Sequence, residues 1–159
     1  MDEDSTIGII GSGSWATAIA KMVLNNSDKL NWYFREQDHI DQFRELGHNP
    51  NYLTSVDLKT DKIHFSTNIN EVVEQSDVLI FAIPSAFLKE ALSPLSSSLQ
   101  GKFIISAIKG LVPDEHLIIG NFFNQGLQYI TFIPVSCHRF LSFRKFNVRT
   151  EIRGQRWLT

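Results

Sequence analysis

The sequence predicts an α/β fold in a single domain, built on a doubly wound and mostly parallel sheet. Short apolar segments of strand type alternate with segments whose apolar residues recur at helical spacing, which is typical of a parallel sheet covered by helices. Residues 78–83 are continuously apolar, as a strand covered on both faces should be. The ligand of such a sheet is expected off the carboxyl ends of its strands.

A glycine-rich turn joins the first predicted strand, Ile7–Ile10, to the first predicted helix, which runs from Ala16 to Leu24. Gly11-Ser12-Gly13-Ser14-Trp15-Ala16 fits the G-x-G-x-x-G/A pattern of dinucleotide-binding turns, an ordinary tight turn being the alternative. Gly11 would allow the tight turn, Gly13 would let backbone approach a pyrophosphate, and Ala16 would let helix and strand pack closely. The opening helix would aim N–H groups and its positive dipole end at the phosphates.

Arg35 follows the second predicted strand, residues 30–34, and comes 22 positions after Gly13. In this architecture the residue about 20 positions after the glycines meets the adenosine ribose. An acidic residue there would bind the 2′-hydroxyl of NAD, whereas an arginine can neutralise a 2′-phosphate or stack on adenine. Arg35 therefore favours NADP, or acceptance of both NADP and NAD. A surface arginine at a strand end is the alternative.

The rest of the chain continues the alternation. Asn68 and Glu71 fit a capping box, and Ser85 is placed to cap the helix after Pro84. Because Arg35, Pro84-Ser85 and Lys109 all follow strands, as the glycine turn does, we expect them to converge at one edge of the sheet. The remaining predicted strands are 63–66, 78–83, 103–107 and 129–135; the predicted helices are 39–46, one beginning after Asn68, 86–92 and 115–123; a long loop is predicted over 48–61.

Composition narrows the class of protein. The chain is 43% hydrophobic and 20% charged, with a net charge of −2, which fits a soluble globular domain. The acidic N-terminus predicts no signal peptide, and the run 78–83 is too short to span a membrane. The single Cys137 allows no internal disulfide, so a reducing cytoplasm is the simplest location. The five histidines lack metal-ligand spacing, and no metal site is predicted.

Charge is distributed unevenly along the chain. Residues 1–136 hold nine Lys or Arg against sixteen Asp or Glu, whereas residues 137–159 hold six against Glu151 alone. This shift is the one candidate boundary, between a domain over 1–136 and a basic tail over 137–159. The tail could be a basic element that closes the domain or a nucleic-acid patch, but it has no recognisable aromatic-basic motif. We favour a third interpretation, that its sequence is out of frame or non-native.

Five motifs, in this order, resemble those of bacterial-type NAD(P)-dependent glycerol-3-phosphate dehydrogenase. They are GSGSWATAIA at 11–20, Arg35, NPNYL at 49–53, SDVLIFAIPS at 76–85 and SAIKGL at 106–111. The family has Gly where this chain has Ala16. The resemblance covers residues 7 to about 133, and the set is specific because Lys-Gly after the fifth strand occurs together with G-S-W and A-I-P-S.

The resemblance implies a Rossmann-type NAD(P)-binding domain and a reversible hydride transfer between NAD(P)H and dihydroxyacetone phosphate, giving sn-glycerol 3-phosphate for phospholipid synthesis. It implies that Lys109 contacts both cofactor and substrate, where a fixed cation would stabilise charge on the ketone oxygen. Motif and resemblance together predict the cofactor contacts Gly11, Ser12, Gly13, Ser14, Trp15, Ala16, Arg35, Pro84 and Lys109.

The resemblance ends after the sixth predicted strand. Ser136, Cys137 and His138 match the family's Ser-Gly-Pro segment only weakly, and the helical substrate domain and second lysine of the family are not recognisable. We therefore expect a truncated chain that binds cofactor without turnover. Its uncovered face should promote self-association, as a homodimer or a larger aggregate. The partners expected are the small-molecule substrate and a second copy, not nucleic acid or membrane.

Three other functions compete with this one. The chain could be a dinucleotide-binding module without chemistry, or an oxidoreductase of the 6-phosphogluconate or ketopantoate type. Lys109-Gly110 argues against the second, because a ketone phosphate needs a cation near its oxygen. An S-adenosylmethionine methyltransferase is disfavoured by Arg35, which stands where an acidic ribose ligand is usual.

Overall fold

Six of the eight strands in the described part of the chain form one sheet. The computed structural model describes residues 5–108, 111–112, 117–119 and 131–134. The remaining two strands, β6 and β7, form a separate antiparallel ladder. The strands are β1 Ile7–Ile10, β2 Leu30–Tyr33, β3 Ile63–Ser66, β4 Val78–Phe81, β5 Phe103–Ser106, β6 Leu111–Val112, β7 Leu117–Ile118 and β8 Thr131–Pro134.

The strand order in the large sheet is β3-β2-β1-β4-β5-β8, and every neighbouring pair is parallel. Ile7 of β1 pairs with Leu30 of β2 on one side and with Val78 of β4 on the other. The chain therefore builds the sheet outward from β1 in one direction and then, from β4 onward, in the other. This arrangement confirms the predicted doubly wound sheet and places its topological switch point between β1 and β4.

Four α-helices connect the strands among the described residues, with two short 3₁₀ turns. The predicted apolar stripe of the first helix is buried, from Ala16 through Leu24. The second helix ends at Gly47, whose φ of 74° allows its N–H to reach the carbonyl of Phe43 at 2.9 Å. The helices are α1 Ser14–Leu24, α2 Gln37–Leu46, α3 Ile69–Glu74 and α4 Leu88–Leu92; the 3₁₀ turns are Thr60–Lys62 and Ser85–Phe87.

Side chains of the central strands alternate between two apolar cores, one on each face of the sheet. In β4, Val78 and Ile80 enter the first core, while Leu79 and Phe81 enter the second. The first core contains an aromatic cluster, in which Trp32 is fully buried. Because both of its faces are covered, β4 is apolar throughout, as the sequence predicted for this strand. The rings that surround Trp32 are Phe34, Phe43 and Phe65, with centroids at 4.9, 5.4 and 6.0 Å.

The predicted capping box at α3 forms only in part. Asn68 does cap the helix, since its Oδ1 accepts the N–H of Asn70 at 3.0 Å. Glu71, however, does not return to the N–H of Asn68, which donates instead to Oγ of Ser66 at 3.0 Å. The Glu71 carboxylate accepts hydrogen bonds from Ser66 and from His64 of the adjacent strand. Tertiary partners on β3 thus replace the local contact that the sequence pattern predicted.

Two other predictions are corrected. Ser85 does not cap a helix from 86 onward: it begins a 3₁₀ turn, and α4 starts at Leu88. The predicted helix over 115–123 is wrong at Leu117–Ile118, because these residues form β7 and pair with β6. Of that range, Ile119 is the one other described residue. An apolar stretch of three residues, 117–119, cannot distinguish strand from helix by periodicity, and here pairing with Leu111–Val112 decides it.

No helix in the described part of the chain is long and apolar enough to cross a membrane. The predicted tail, residues 137–159, lies outside the described residues, and the boundary at 136 stays a prediction.

Candidate functional site

The carboxyl ends of β1, β2 and β4 bring most of the predicted site residues to one edge of the sheet. Gly11 directly follows β1, Arg35 lies two residues beyond β2, and Pro84 lies three residues beyond β4. Because β1 lies between β2 and β4, the glycine turn occupies the middle of this edge. The arrangement confirms the expected convergence of these three segments.

Gly11 occupies a position that only glycine fits. Its φ is +123°, a backbone conformation that side chains of L-residues rarely adopt. A Cβ built there would lie 2.5 Å from the carbonyl oxygen of Ala82, at the end of β4. The tight turn predicted for Gly11 is therefore required both by its own backbone and by the neighbouring strand.

At Gly13 the structure places no neighbouring atom against a side chain. A Cβ built on Gly13 would meet no heavy atom within 4 Å, so the space in front of this residue is open. Gly13 precedes α1, which has no side-chain cap at its N-terminus and no acidic residue in its first turn. The positive end of an 11-residue helix is thus presented to an open space. This geometry fits a group with negative charge, such as a pyrophosphate.

The other residues of the turn divide into buried and exposed positions. Ala16 is fully buried in the first core, as close packing of helix and strand requires. Ser14 is exposed, and the Trp15 side chain is 41% exposed. Ser14 and Trp15 therefore lie at the protein surface at the start of α1.

The three carbonyl groups at 11–13 each accept a hydrogen bond from a side chain. Nε1 of Trp32 donates to the Gly11 carbonyl at 2.7 Å, and Nδ2 of Asn49 donates to the Ser12 carbonyl at 3.0 Å. The Gly13 carbonyl accepts from both the hydroxyl and the N–H of Thr17, each at 3.0 Å. All three donor side chains belong to fully buried residues, so the carbonyl oxygens point toward the protein interior.

These hydrogen bonds fix the direction of three amide groups. In a trans peptide the C=O and N–H point in opposite directions, and none of the described peptide bonds is cis. With the carbonyls of 11–13 directed inward, the N–H groups of Ser12, Gly13 and Ser14 are directed outward. Successive amides that face one side at a helix N-terminus form a binding site for phosphate groups.

Arg35 is exposed at the end of β2 and has acidic neighbours. Its side chain is 70% exposed, and its guanidinium lies 3.1 Å from Glu36 and 3.8 Å from Glu90. Nearby, burial raises the pKa of the Tyr33 phenol, an effect that Arg35 opposes. Tyr33 therefore stays neutral near pH 7. Arg35 can extend toward a ligand, but a phosphate on that ligand would also meet two carboxylates.

The remaining predicted contacts lie after β4 and β5. Pro84 is exposed. The end of β4 before it is held by a hydrogen bond of 2.9 Å from the N–H of Ala82 to the carbonyl of Ile10. After β5, the N–H of Ala107 donates to the carbonyl of Phe81 at 2.9 Å. This hydrogen bond extends the edge of the sheet toward Ile108. Lys109 and Gly110 lie outside the described residues, so the predicted contacts of Lys109 stay predictions.

Three residues that the sequence did not single out for this site are Trp32, Thr17 and Asn49, the donors to the turn. Asn49 belongs to the NPNYL motif, where a long polar loop was predicted, yet it is fully buried. One sequence signal was available: an asparagine often accepts the N–H two residues on, and Asn49 does so from Asn51. That signal predicts a turn, but it does not indicate contact with residues 32 and 37 positions away.

Among the described residues, no group of three or more His, Cys, Asp or Glu side chains is placed to hold a metal ion.

The sheet order, the switch point and the glycine turn define a Rossmann-type domain of the kind that binds dinucleotides. Within that class, the sequence model of the NAD-dependent glycerol-3-phosphate dehydrogenase N-terminus matches residues 6–131. The chain belongs to this family.

Curated relatives agree with this assignment. The glycerol-3-phosphate dehydrogenase [NAD(P)+] of Ectopseudomonas mendocina is 32% identical over 111 residues, which are 70% of this chain and 32% of the relative. The enzyme of the same name from Bacillus subtilis is 32% identical over 114 residues, 71% of this chain and 33% of the relative. The chain thus spans about a third of the length of the curated relatives it matches.

Solved structures are similar in fold. A glycerol-3-phosphate dehydrogenase of Plasmodium falciparum superposes with a TM-score of 0.67 at 26% identity, covering 78% of this chain and 38% of that one. The enzyme of the same name from Coxiella burnetii gives a TM-score of 0.69 at 23% identity, covering 81% and 39%. The Coxiella structure therefore supports the fold alone.

Proposed function

We propose that this chain binds NAD(H) or NADP(H) across the carboxyl edge of its sheet, as the cofactor-binding part of a glycerol-3-phosphate dehydrogenase. The observation that supports this most is the turn at 11–13, whose carbonyls are held inward by three buried side chains. The outward amides of Ser12, Gly13 and Ser14 would bind the pyrophosphate. The curated names of the relatives support the choice of cofactor.

Each end of the dinucleotide would meet different residues. Arg35 would contact the adenosine end, either through a 2′-phosphate or by stacking on adenine. The exposed Trp15 and Pro84 would contact the part of the cofactor that lies over the turn and the end of β4. The bound nicotinamide supplies or accepts a hydride. Lys109 would hold its ammonium near the substrate oxygen, where a fixed cation stabilises the charge that develops as hydride arrives.

The proposed reaction of the whole enzyme is the reduction of dihydroxyacetone phosphate to sn-glycerol 3-phosphate, a precursor in phospholipid synthesis, in the cytoplasm. Proton transfer to the new alkoxide needs a positioned acid, and such groups typically contribute about 10²–10⁴-fold. Within these 159 residues the lysine that follows Lys109 is Lys145, in the basic tail beyond the residues 6–131 that the family model matches. We therefore expect the 159 residues by themselves to bind cofactor without turnover.

The proposal is tested by calorimetric titration of the 159-residue chain with NADH and NADPH. A variant with Gly13→Ala is the matched control, because its added methyl group would occupy the open space in front of the turn. We expect saturable binding by the wild-type chain and little binding by the variant. Absence of binding of both cofactors to a folded wild-type chain would contradict the proposed function.

Catalysis is tested separately, by following NADPH oxidation with dihydroxyacetone phosphate for this chain and for a full-length relative. Binding without turnover by this chain is the expected result. Comparable rates for the two proteins would show that these residues contain an acid that the family resemblance does not identify. Binding to the chain with no turnover in either protein would favour a dinucleotide-binding module without chemistry.

A further inference from the structure

Every hydrogen-bonding group of the Asn49 side chain is used. Its Nδ2 donates to the carbonyl of Ser12 at 3.0 Å and to the hydroxyl of Thr17 at 2.8 Å. Its Oδ1 accepts the N–H groups of Asn51 and Tyr52 at 3.0 and 3.1 Å, and it also lies 3.2 Å from Nε2 of His39. An amide with all its donors satisfied inside the protein has one preferred orientation.

The acceptor and donor sides of this amide serve different segments. The Oδ1 contacts hold the segment after α2, since they involve residues two and three positions further along. The Nδ2 contacts cross to the glycine turn and to the first turn of α1, which lie 37 and 32 positions earlier in the chain. The loop's own backbone is held by the contacts of Oδ1 alone, because the Nδ2 group makes no hydrogen bond to the backbone of that loop.

The two Nδ2 contacts control adjacent peptide groups of the turn. One is direct, to the carbonyl of Ser12. The other passes through Thr17, whose hydroxyl accepts from Asn49 and donates to the carbonyl of Gly13. The peptide groups of those two carbonyls carry the N–H groups of Gly13 and Ser14. A single side chain therefore orients both amides that border the open space at Gly13.

We propose that Asn49 is a positioning residue for pyrophosphate recognition, an inference that rests on the proposed function of the turn. It acts through the Ser12 carbonyl and through Thr17, and it fixes the Gly13 and Ser14 amides before ligand arrives. Preorganised donors bind an anion more tightly than donors that must first be ordered, because the ordering cost is met during folding. Asn49 needs no contact with the cofactor to have this effect.

The test compares Asn49→Ala with Asn31→Ala in the full 159-residue chain. Asn31 is a matched control because it is also a buried asparagine, with Nδ2 bonded to the carbonyl of Gln75 at 2.9 Å and to Ser76 at 3.0 Å. Those partners precede β4 and lie at the amino end of the sheet, away from the glycine turn. Both variants are titrated with NADH and NADPH at a temperature where circular dichroism shows them fully folded.

We expect Asn49→Ala to weaken the binding of NADH and NADPH equally, by about tenfold or more. The hydrogen bonds affected are those from the Gly13 and Ser14 amides to the charged pyrophosphate, and bonds to a charged group are among the stronger ones. Asn31→Ala should leave both affinities unchanged. The equal loss distinguishes the turn from Arg35, whose removal should change the ratio of the two affinities. Equal affinity losses in Asn49→Ala and Asn31→Ala, or none in Asn49→Ala, would overturn the proposal.

A second variant and a second measurement separate this inference from the proposed function. Thr17→Val is nearly isosteric and removes only the hydroxyl that links Asn49 to Gly13, so it should give part of the same affinity loss. Amide hydrogen exchange without cofactor should accelerate at Thr17 in Asn49→Ala but not in Asn31→Ala. Unchanged exchange at Thr17 would overturn the role of Asn49 even in a chain that binds cofactor. Failure of the wild-type chain to bind would contradict the proposed function alone.

Discussion

The indole Nε1 of Trp32 donates a hydrogen bond of 2.7 Å to the carbonyl of Gly11. Trp32 lies in β2, at the centre of the aromatic cluster, so this bond connects the first core directly to the glycine turn. The conformation of the turn therefore depends on core packing as well as on its glycines.

Trp32→Phe keeps most of the apolar contact but removes this donor. The Gly11 carbonyl then loses a partner, and we expect the free energy of unfolding to fall by about 1–3 kcal/mol, with a several-fold loss of affinity for NADH. Urea denaturation and fluorescence titration measure the two effects. Phe65→Leu is the control, since Phe65 stacks on Trp32 at 6.0 Å but has no hydrogen bond to the turn. A similar loss of affinity in Phe65→Leu would assign the effect to packing.

Gly11→Ala and Gly13→Ala should affect stability very differently. At Gly11 the new Cβ would approach the Ala82 carbonyl to 2.5 Å, and the φ of +123° is strained for alanine. We expect Gly11→Ala to lower the free energy of unfolding by about 2–4 kcal/mol, because of strain and overpacking. Gly13→Ala should lower it by no more than about 1 kcal/mol. Thermal and urea unfolding of both variants measure the difference. Equal destabilisation would contradict the separate roles of the two glycines.

Arg35→Ala should weaken NADPH about tenfold and NADH less, because a charge-assisted hydrogen bond to the 2′-phosphate is lost. Glu90→Gln should instead strengthen NADPH binding, because the Glu90 carboxylate lies 3.8 Å from the Arg35 guanidinium and would repel that phosphate. Calorimetric titration gives the ratio of the two dissociation constants. Arg44→Ala, which removes an equal charge from the last turn of α2, is the control. Equal losses for both cofactors in Arg35→Ala would indicate stacking on adenine instead.

Glu71 should make stability depend on pH at the acid end. Hydrogen bonds from Ser66 and then His64 hold the pKa of this carboxyl below its ordinary value of 4.5. A lowered pKa in the folded state stabilises the fold above 4.5, and this contribution is lost as the pH falls through the folded-state pKa. Glu71→Gln should therefore flatten the decline in unfolding free energy between about pH 5 and pH 3.

Urea denaturation across that pH range gives the slopes. Glu45→Gln, which removes an exposed carboxylate from α2, is the control for a change in net charge. Parallel acid limbs for the wild-type chain and Glu71→Gln would contradict the predicted contribution.

Patterns within a few residues of the sequence predicted much of this fold. The alternation of strands and helices gave the sheet, and the turn at 11–16 was placed correctly because its spacing and its flanking elements are local features. Gly47 ends α2 near the predicted position, since a residue with positive φ at a helix end is also a local requirement.

Features that depend on distant partners were not predictable in the same way. Glu71 was expected to bond its own helix, but β3 brings Ser66 and His64 closer to it. Asn49 looks like a loop residue in sequence, and only the folded chain places it beside Ser12 and Thr17. Leu117–Ile118 became a strand because a partner strand was available, which no property of that short segment encodes.

β1 is one of the two central strands of the six-stranded sheet, and it is synthesised before both of its neighbours. Its neighbours are β2 and β4, and β4 ends only at Phe81. A ribosome adding about 5–20 residues per second releases β1 several seconds before both of its edges can be paired. During that interval the nascent chain presents an apolar strand edge to other chains, so its yield in the cell depends on how it is protected until residue 81 has emerged.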